Sequence, residues 1–145
     1  TALPAAIATG KVLQVVQSTS TSDILTNSSS YAASGFTGAI TPSATSSKIL
    51  IQLNGGYIDY DSAALDSYCR IFYKIGSGSY VEQASFTRTR VNSAFGIPNS
   101  QNFLTSPNTT SEVTVQPYIK TSTSNNAYIN RQGALLTLTL LEIGA

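Results

Sequence analysis

Apolar and polar residues alternate along much of this 145-residue chain, most regularly from Lys48 onward. The even positions of that segment are mostly polar, whereas the odd positions hold Ile49, Ile51, Leu53, Gly55 and Tyr57. Successive side chains of a β-strand point to opposite faces, so the pattern predicts a strand with an apolar inner face. Proline and small hydroxyl residues fill Thr41–Ser47, which predicts a turn leading into this strand.

The same period of two predicts strands elsewhere in the chain. The long strand is expected to run on to Asp66, and the Gly76–Ser79 turn is expected to join two strands as a hairpin. Ser18–Ser22 and most of Asn92–Ser111 are expected to be loops, with a short strand at Asn102–Leu104. The other predicted strands are Gly10–Gln17, Tyr31–Phe36, Thr37–Thr41, Tyr68–Ile75, Tyr80–Val91, Glu112–Thr121, Ala127–Arg131 and Ala134–Ile143.

These short strands predict an all-β domain. No segment keeps a helical period over ten residues, and about eight strands separated by turn signals favour an antiparallel β-sandwich or jelly roll over residues 10–145. In the strand Glu112–Thr121, Val113, Val115 and Ile119 share the inner parity, and Pro117 indicates an edge position or a bulge because it has no N–H to donate.

The first nine residues, Thr1–Thr9, have no periodicity and contain Pro4, so we expect an N-terminal arm. Such an arm either frays or is ordered by docking on another chain, with Leu3 and Ile7 as its natural anchors.

The last predicted strand is apolar on both faces. Its first face holds Ala134, Leu136, Leu138, Leu140 and Glu142, and its second face holds Leu135, Thr137, Thr139, Leu141 and Ile143. A surface strand of a monomeric sandwich normally has one polar face. The strand therefore either lies centrally in the domain or lines a subunit interface, and a closed ring of copies is the simplest way to cover its second face.

Composition narrows the choice of partner. Only 10% of the residues are charged, against about 25% in typical soluble proteins, and roughly a quarter are Ser or Thr. This surface is either solvated or covered by neighbours; long charged side chains are depleted where neighbours cover a surface. A net charge of +1 without a basic run argues against nucleic acid as a partner. The chain has no apolar stretch long enough for a membrane span and no secretory signal in Thr1–Gly10, so we expect a soluble protein made in a cytoplasm.

The chain has little material for catalysis. It contains no histidine, so the commonest general base and metal ligand is missing. Asp59, Asp61 and Asp66 are its one carboxylate cluster; they could ligate calcium, but their spacing matches no calcium loop, and solvated loop residues are the expectation. Cys69 shares the parity of Ile71, which predicts a buried small side chain. We expect no enzyme activity, no metal and no cofactor.

One predicted strand face mixes aromatic and basic residues. It consists of Tyr68, Arg70, Phe72 and Lys74. Such a face could stack on a sugar ring or anchor a protein partner. Packing between sheets or between subunits explains the pattern equally well.

Six segments resemble, in the same order, a family of small β domains of tailed bacteriophages, notably those of aquatic and cyanobacterial hosts. They are GKVLQVVQ at 10–17, ITPSATSSKILI at 40–51, RIFYKIGSG at 70–78, FLTSPNTTSEVTVQ at 103–116, YINRQG at 128–133 and LTLTLLEI at 136–143. The resemblance covers nearly the whole chain. It implies a virion protein with a tumour-necrosis-factor-like jelly roll that forms a homotrimer, of a kind usually labelled tail-fibre or virion structural protein.

Within this family, we expect a capsid decoration protein. A receptor-binding tip must be mounted on a shaft, whereas we expect this domain to stand alone behind its short arm. A trimeric cement protein would clamp neighbouring major capsid subunits on the head, and the virus would make it in the cytoplasm of its bacterial host. The expected contacts are Leu3, Pro4 and Ile7, together with the Tyr68–Lys74 face. The alternatives are a tail-fibre knob that recognises a host-surface glycan and, more remotely, a secreted trimeric ligand or lectin.

Overall fold

The computed structural model describes residues 10–60, 65–91 and 96–144, which form two packed antiparallel β-sheets. No helix among these residues is long and apolar enough to cross a membrane. The strands are β1 (Val12–Ser20), β2 (Ile24–Thr26), β3 (Ala32–Ala33), β4 (Gly38–Ile40), β5 (Lys48–Tyr60), β6 (Leu65–Ile75), β7 (Val81–Val91), β8 (Ile97–Thr105), β9 (Val113–Thr121), β10 (Ala127–Asn130) and β11 (Leu136–Ile143).

The order of the strands is that of a jelly roll. In the first sheet, β1, β11, β5 and β8 are neighbours in that order. Strand β10 pairs with the last residues of β5, and β2 pairs with β10. In the second sheet, β7-β6-β9 continue to β3 and β4, which both pair with β9. Six of the ten connections between the described strands cross from one sheet to the other, and the hairpin of β6 and β7 is one of the four that stay within a sheet. The predicted antiparallel jelly-roll sandwich is therefore confirmed.

The core lies between the sheets and contains the predicted inner residues. Three strands contribute most of its fully buried side chains: Ile49, Ile51 and Leu53 from β5, Val113, Val115 and Ile119 from β9, and Leu136, Leu138 and Leu140 from β11. Burying one such aliphatic side chain stabilises a fold by about 1.5 to 3 kcal/mol, so these positions hold the two sheets together.

A kink in β5 changes the predicted parity after Leu53. Gly55 and Gly56 both have positive φ angles, 81° and 70°, and the register with β8 shifts between Gly55 and Ile58. A Cβ atom on Gly56 would lie 2.5 Å from the carbonyl oxygen of Ile129, so only glycine fits there. Beyond the kink Ile58 is buried, whereas Tyr57, which the alternation predicts on the inner face, is only half-buried.

The prediction of a mostly irregular Asn92–Ser111 is wrong for β8. This nine-residue strand pairs along β5, and its inward positions include the buried polar residues Asn99 and Gln101. Gln101 Nε2 donates hydrogen bonds to Thr87 Oγ1 at 2.7 Å and to Asn99 Oδ1 at 3.2 Å. The two side-chain amides hydrogen-bond each other, so these polar residues can occupy positions that face the core. The sequence of β8 therefore lacks the apolar alternation that would predict a strand.

Two further boundaries differ from prediction. Ser18–Ser20 continues β1 instead of forming a loop, because these residues pair with Leu136–Leu138 of β11. Asp66 belongs to β6 and not to the end of the long strand, which is described only as far as Tyr60. The short strand β2 carries no clear alternation and is not predicted by the sequence.

Pro117 lies inside the second sheet instead of at an edge. Its strand, β9, pairs with β6 on one side and with β3 and β4 on the other. The carbonyl oxygen of Pro117 accepts a hydrogen bond from the N–H of Ser34 at 3.1 Å, so its nitrogen faces the interruption between β3 and β4. The missing N–H therefore removes no ladder hydrogen bond. The register with β6 is regular through Pro117, so the position is neither the edge nor the bulge that the sequence predicts.

Candidate interaction surfaces

The outer face of the second sheet gathers aromatic and cationic side chains from four neighbouring segments. The even positions of β6 do share this face, as predicted, and the odd positions Cys69 and Ile71 enter the core. We call the set the cation–aromatic face; its members are Tyr31, Tyr68, Arg70, Phe72, Lys74, Tyr80, Arg88, Arg90, Tyr118 and Lys120.

Lys120 is the centre of this face. Its ammonium nitrogen lies 4.9 Å from the ring centroid of Tyr31 and 4.7 Å from that of Tyr68. The guanidinium of Arg70 lies 5.0 Å from the Tyr31 centroid, and that of Arg88 lies 5.8 Å from the Tyr68 centroid. Cations and rings therefore alternate across the strands. Each exposed contact of this type stabilises by about 0.5 to 1 kcal/mol.

The other rings of the face cover one another. Phe72 stacks on Tyr118 with centroids 4.1 Å apart, and Tyr80 lies 5.7 Å from Tyr118. The Lys74 ammonium lies 5.4 Å from the Tyr80 centroid. Burial raises the pKa of Tyr31 above its usual value although the charge of Arg70 lowers it, so the Tyr31 hydroxyl is neutral at physiological pH. Packing within the sheet thus accounts for much of the aromatic surface.

The face is positively charged. Two of its cations form ion pairs: Arg88 Nη2 with Asp66 Oδ2 at 2.7 Å, and Arg70 with Glu82. Within the described residues, the three remaining cations, Lys74, Arg90 and Lys120, form no ion pair. Five of the eight Lys and Arg residues of the chain therefore lie on one face. Within the described parts of its strands this face has two carboxylates, Asp66 and Glu82, and both are already paired.

The outer face of the first sheet carries an exposed row of apolar residues. The strand registers place Val15, Leu141, Leu50 and Leu104 side by side across β1, β11, β5 and β8. Val15 is 57% exposed and Leu104 is 58% exposed. We call these four residues the apolar row. The next row is polar, with Gln17 bonded to Thr139 and Gln52 bonded to Asn102.

The predicted trimer interface lies on this same outer face. β11 is a central strand between β1 and β5, and the residues in question are Leu135, Thr137, Thr139, Leu141 and Ile143. Leu135 is 57% exposed and the other four are half-buried. The strand is thus both central and exposed on its second face, and its role in self-association stays a prediction. The predicted arm with Leu3, Pro4 and Ile7 lies outside the described residues.

A buried carboxylate connects the strands that carry the apolar row. Glu142 is 1% exposed, and its Oε1 accepts hydrogen bonds from Ser43 N at 2.7 Å, Ser43 Oγ at 2.6 Å and Ser47 Oγ at 2.7 Å. Gln14 Nε2 of β1 donates to Oε2 at 3.0 Å. Burial raises the pKa of Glu142, but these hydrogen bonds outweigh it and lower the pKa to about 2.

Asp59 and Asp66 are not the solvated loop residues that the sequence predicts. Both lie in strands and are 8% exposed. Arg131 Nη1 bonds Asp59 Oδ2 at 2.9 Å, and Arg88 neutralises Asp66, so distant arginines make this burial tolerable. The described residues contain no group of three potential metal ligands. Asp61 lies outside the described residues.

Cys69 has the predicted buried position. It is 2% exposed in the core, and burial raises the pKa of its thiol to about 11 although the Gln101 and Asn99 side chains lower it. Since the thiolate is the reactive form, this cysteine is inert in the folded protein.

Comparison with known proteins gives the fold. No family model and no curated protein matches the sequence. A chain of the structure of infectious bursal disease virus Gx strain matches 90% of this chain with a TM-score of 0.53 and 16% identity. A chain of the crystal structure of the infectious bursal disease virus VP2 subviral particle also covers 90%, with a TM-score of 0.46 and 15% identity. This chain spans 37% and 40% of the lengths of those two viral chains. The tailed-phage family stays a prediction.

Proposed function

We propose that this chain is a virion structural protein that acts by binding, without turnover. The fold that it shares with a chain of the infectious bursal disease virus structure supports the proposal, but folds of this type host many functions. The apolar row carries the proposal. It places two exposed and two half-buried aliphatic side chains in line across four strands, which is a surface suited to burial in an assembly.

The apolar row is best covered by copies of the same chain. Leu141 belongs to the row and to the predicted interface, and the polar row beside it can form a hydrogen-bonded rim. A closed ring buries such a face on every copy and leaves none exposed. We therefore propose a homotrimer assembled through the outer face of the first sheet, with Leu135, Thr137, Thr139, Leu141 and Ile143 at or near the contact.

The trimer is proposed to decorate a bacteriophage head. Each copy would keep its cation–aromatic face for neighbouring major capsid subunits, and the arm residues Leu3, Pro4 and Ile7 would add contacts. Clamping adds contact area across joints between subunits, which opposes the outward pressure of packaged DNA. Obligate interfaces commonly bury about 2,000 Å² or more, which agrees with the low charge of the chain and with a last strand that is apolar on both faces.

Antibody against this protein, coupled to gold particles, tests the location on intact virions. Many labels over the head are the expected result. Labels confined to fibre tips would contradict capsid decoration and support the tail-fibre knob that recognises the host. An unlabelled virion would contradict both functions. Light scattering at micromolar concentration provides the second readout, with an expected mass three times the 15.3 kDa of the chain. A stable monomer would contradict the trimer.

A further inference from the structure

We infer that the cation–aromatic face binds a carboxylate-rich protein surface. The inference rests on the proposed function, in which the chain attaches to other virion proteins, and it names the chemistry of the surface to which the chain attaches. Its starting point is the uneven distribution of charge. Lys74, Arg90 and Lys120 lie on this face in no ion pair among the described residues, although the whole chain is nearly neutral.

The cations are concentrated at one end of the face. Lys120, Arg88 and Arg90 lie within two adjacent rows of the sheet, and the one carboxylate that the register places in these rows, Asp66, is paired with Arg88. Glu112 precedes β9 at the opposite end, about 26 Å from Lys120 along an extended strand. The end that holds Lys120 therefore presents excess positive charge, which attracts an acidic partner and opposes a basic one.

Lys120 is held in place before any partner binds. Its ammonium group lies between the rings of Tyr31 and Tyr68, with both centroids within 5 Å. A lysine side chain normally loses much rotamer freedom when it is immobilised in a contact. The two rings have already restricted Lys120, so less entropy is lost when a carboxylate binds it.

The aromatic rings of this face are already covered by neighbouring side chains, which favours a protein partner over a sugar or a nucleic acid. Sugars and bases bind aromatic residues by stacking on open ring faces. Here Tyr31 and Tyr68 each contact two cations, and Phe72 stacks on Tyr118. These rings are already covered by neighbours, whereas Arg88 and Arg90 are exposed and Lys120 is half-buried. Tyrosine and arginine are also the residues that most often dominate protein interfaces.

Binding to immobilised poly-L-glutamate tests the inference without a virion. Dextran sulfate and a single-stranded oligonucleotide represent the two other polyanion classes. Lys120→Gln is compared with Lys48→Gln, which removes an exposed lysine at the start of β5 in the first sheet. Arg90→Gln gives a second variant on the face. Thermal unfolding of each variant verifies that it folds.

The wild type is expected to bind poly-L-glutamate more tightly than the other polyanions, and binding should weaken as salt rises. Lys120→Gln and Arg90→Gln should each weaken it about five- to tenfold, and Lys48→Gln by less than twofold. Equal effects of all three variants, or tighter binding to dextran sulfate or the oligonucleotide, would overturn the inference. Virion labelling is independent of this assay. A labelled head together with no binding to poly-L-glutamate would contradict the acidic partner and leave the proposed virion role intact.

Discussion

Replacing Glu142 with glutamine removes a buried negative charge and leaves the side chain almost unchanged in size. The carboxylate accepts four hydrogen bonds, from Gln14, Ser47 and twice from Ser43. Those donors belong to β1 and to the turn before β5, so the hydrogen bonds of Glu142 connect β1 and this turn to β11. Hydrogen bonds to a charged group contribute about 1.5 to 3 kcal/mol each before the cost of burying the charge, which offsets most of the sum.

The pKa of Glu142 sets the magnitude of the effect. It falls from an ordinary 4.5 to about 2 in the folded protein, a shift that corresponds to about 3 kcal/mol. Because the folded pKa is the lower one, this stabilisation is complete above about pH 5 and is lost as the pH falls towards 2. We expect Glu142→Gln to lower the free energy of unfolding by about 3 kcal/mol at pH 6, and by about 2 kcal/mol less at pH 3.

Urea unfolding of both proteins at pH 6 and pH 3, at one fixed protein concentration, measures this difference. A fixed concentration matters because assembly adds to apparent stability. Glu112→Gln is the matched control, since Glu112 is exposed; it should stay within about 0.5 kcal/mol of the wild type. A Glu142→Gln protein as stable as the wild type at pH 6, or a difference that does not shrink at pH 3, would show that the Glu142 carboxylate does not stabilise the fold.

Three further predictions concern the backbone, the core and the apolar row. Gly56→Ala should lower stability by more than about 2 kcal/mol, and Gly35→Ala by about 1 kcal/mol, because both have positive φ but only Gly56 lacks room for a Cβ; thermal unfolding compares them. Cys69 should react with a thiol reagent at pH 8 only after denaturation, and fast labelling of the folded protein would contradict its burial. Leu104→Asn should yield a folded monomer by light scattering, whereas Asn102→Ser should keep the wild-type mass; equal masses would exclude the apolar row as the contact.

The sequence predicts the strands whose two faces differ in polarity. In β9, for example, Val113, Val115 and Ile119 have the predicted buried parity, and the two-faced pattern of β11 corresponds to a central strand. These predictions succeed because the backbone of a strand points successive side chains to opposite faces. The alternation of apolar and polar residues therefore shows directly which face is buried.

The errors arise where residues far apart in the chain determine the environment. Asn99 and Gln101 face inward because they bond each other and Thr87 of another strand. Asp59 is buried because Arg131, more than 70 positions away, neutralises it. The sequence of a single strand does not reveal partners on other strands, so its polar residues are predicted to be exposed to solvent.

The cation–aromatic face is partly predictable for the same reason. The alternation in β6 identifies Tyr68 and Arg70, but Tyr31, Lys120 and Arg88 join them only through the pairing of other strands. The alternation of Tyr118 and Lys120 in β9, and that of Arg88 and Arg90 in β7, are local signals that could have extended the face.

A cryo-electron-microscopy map of the intact virion would show whether this chain decorates the head. We expect density for this jelly roll at many equivalent positions on the head, as trimers in contact through the first sheet and with the Lys120 side facing acidic residues of neighbouring capsid subunits. Density at a few fibre tips would contradict capsid decoration, and a virion without this chain would contradict the structural role itself.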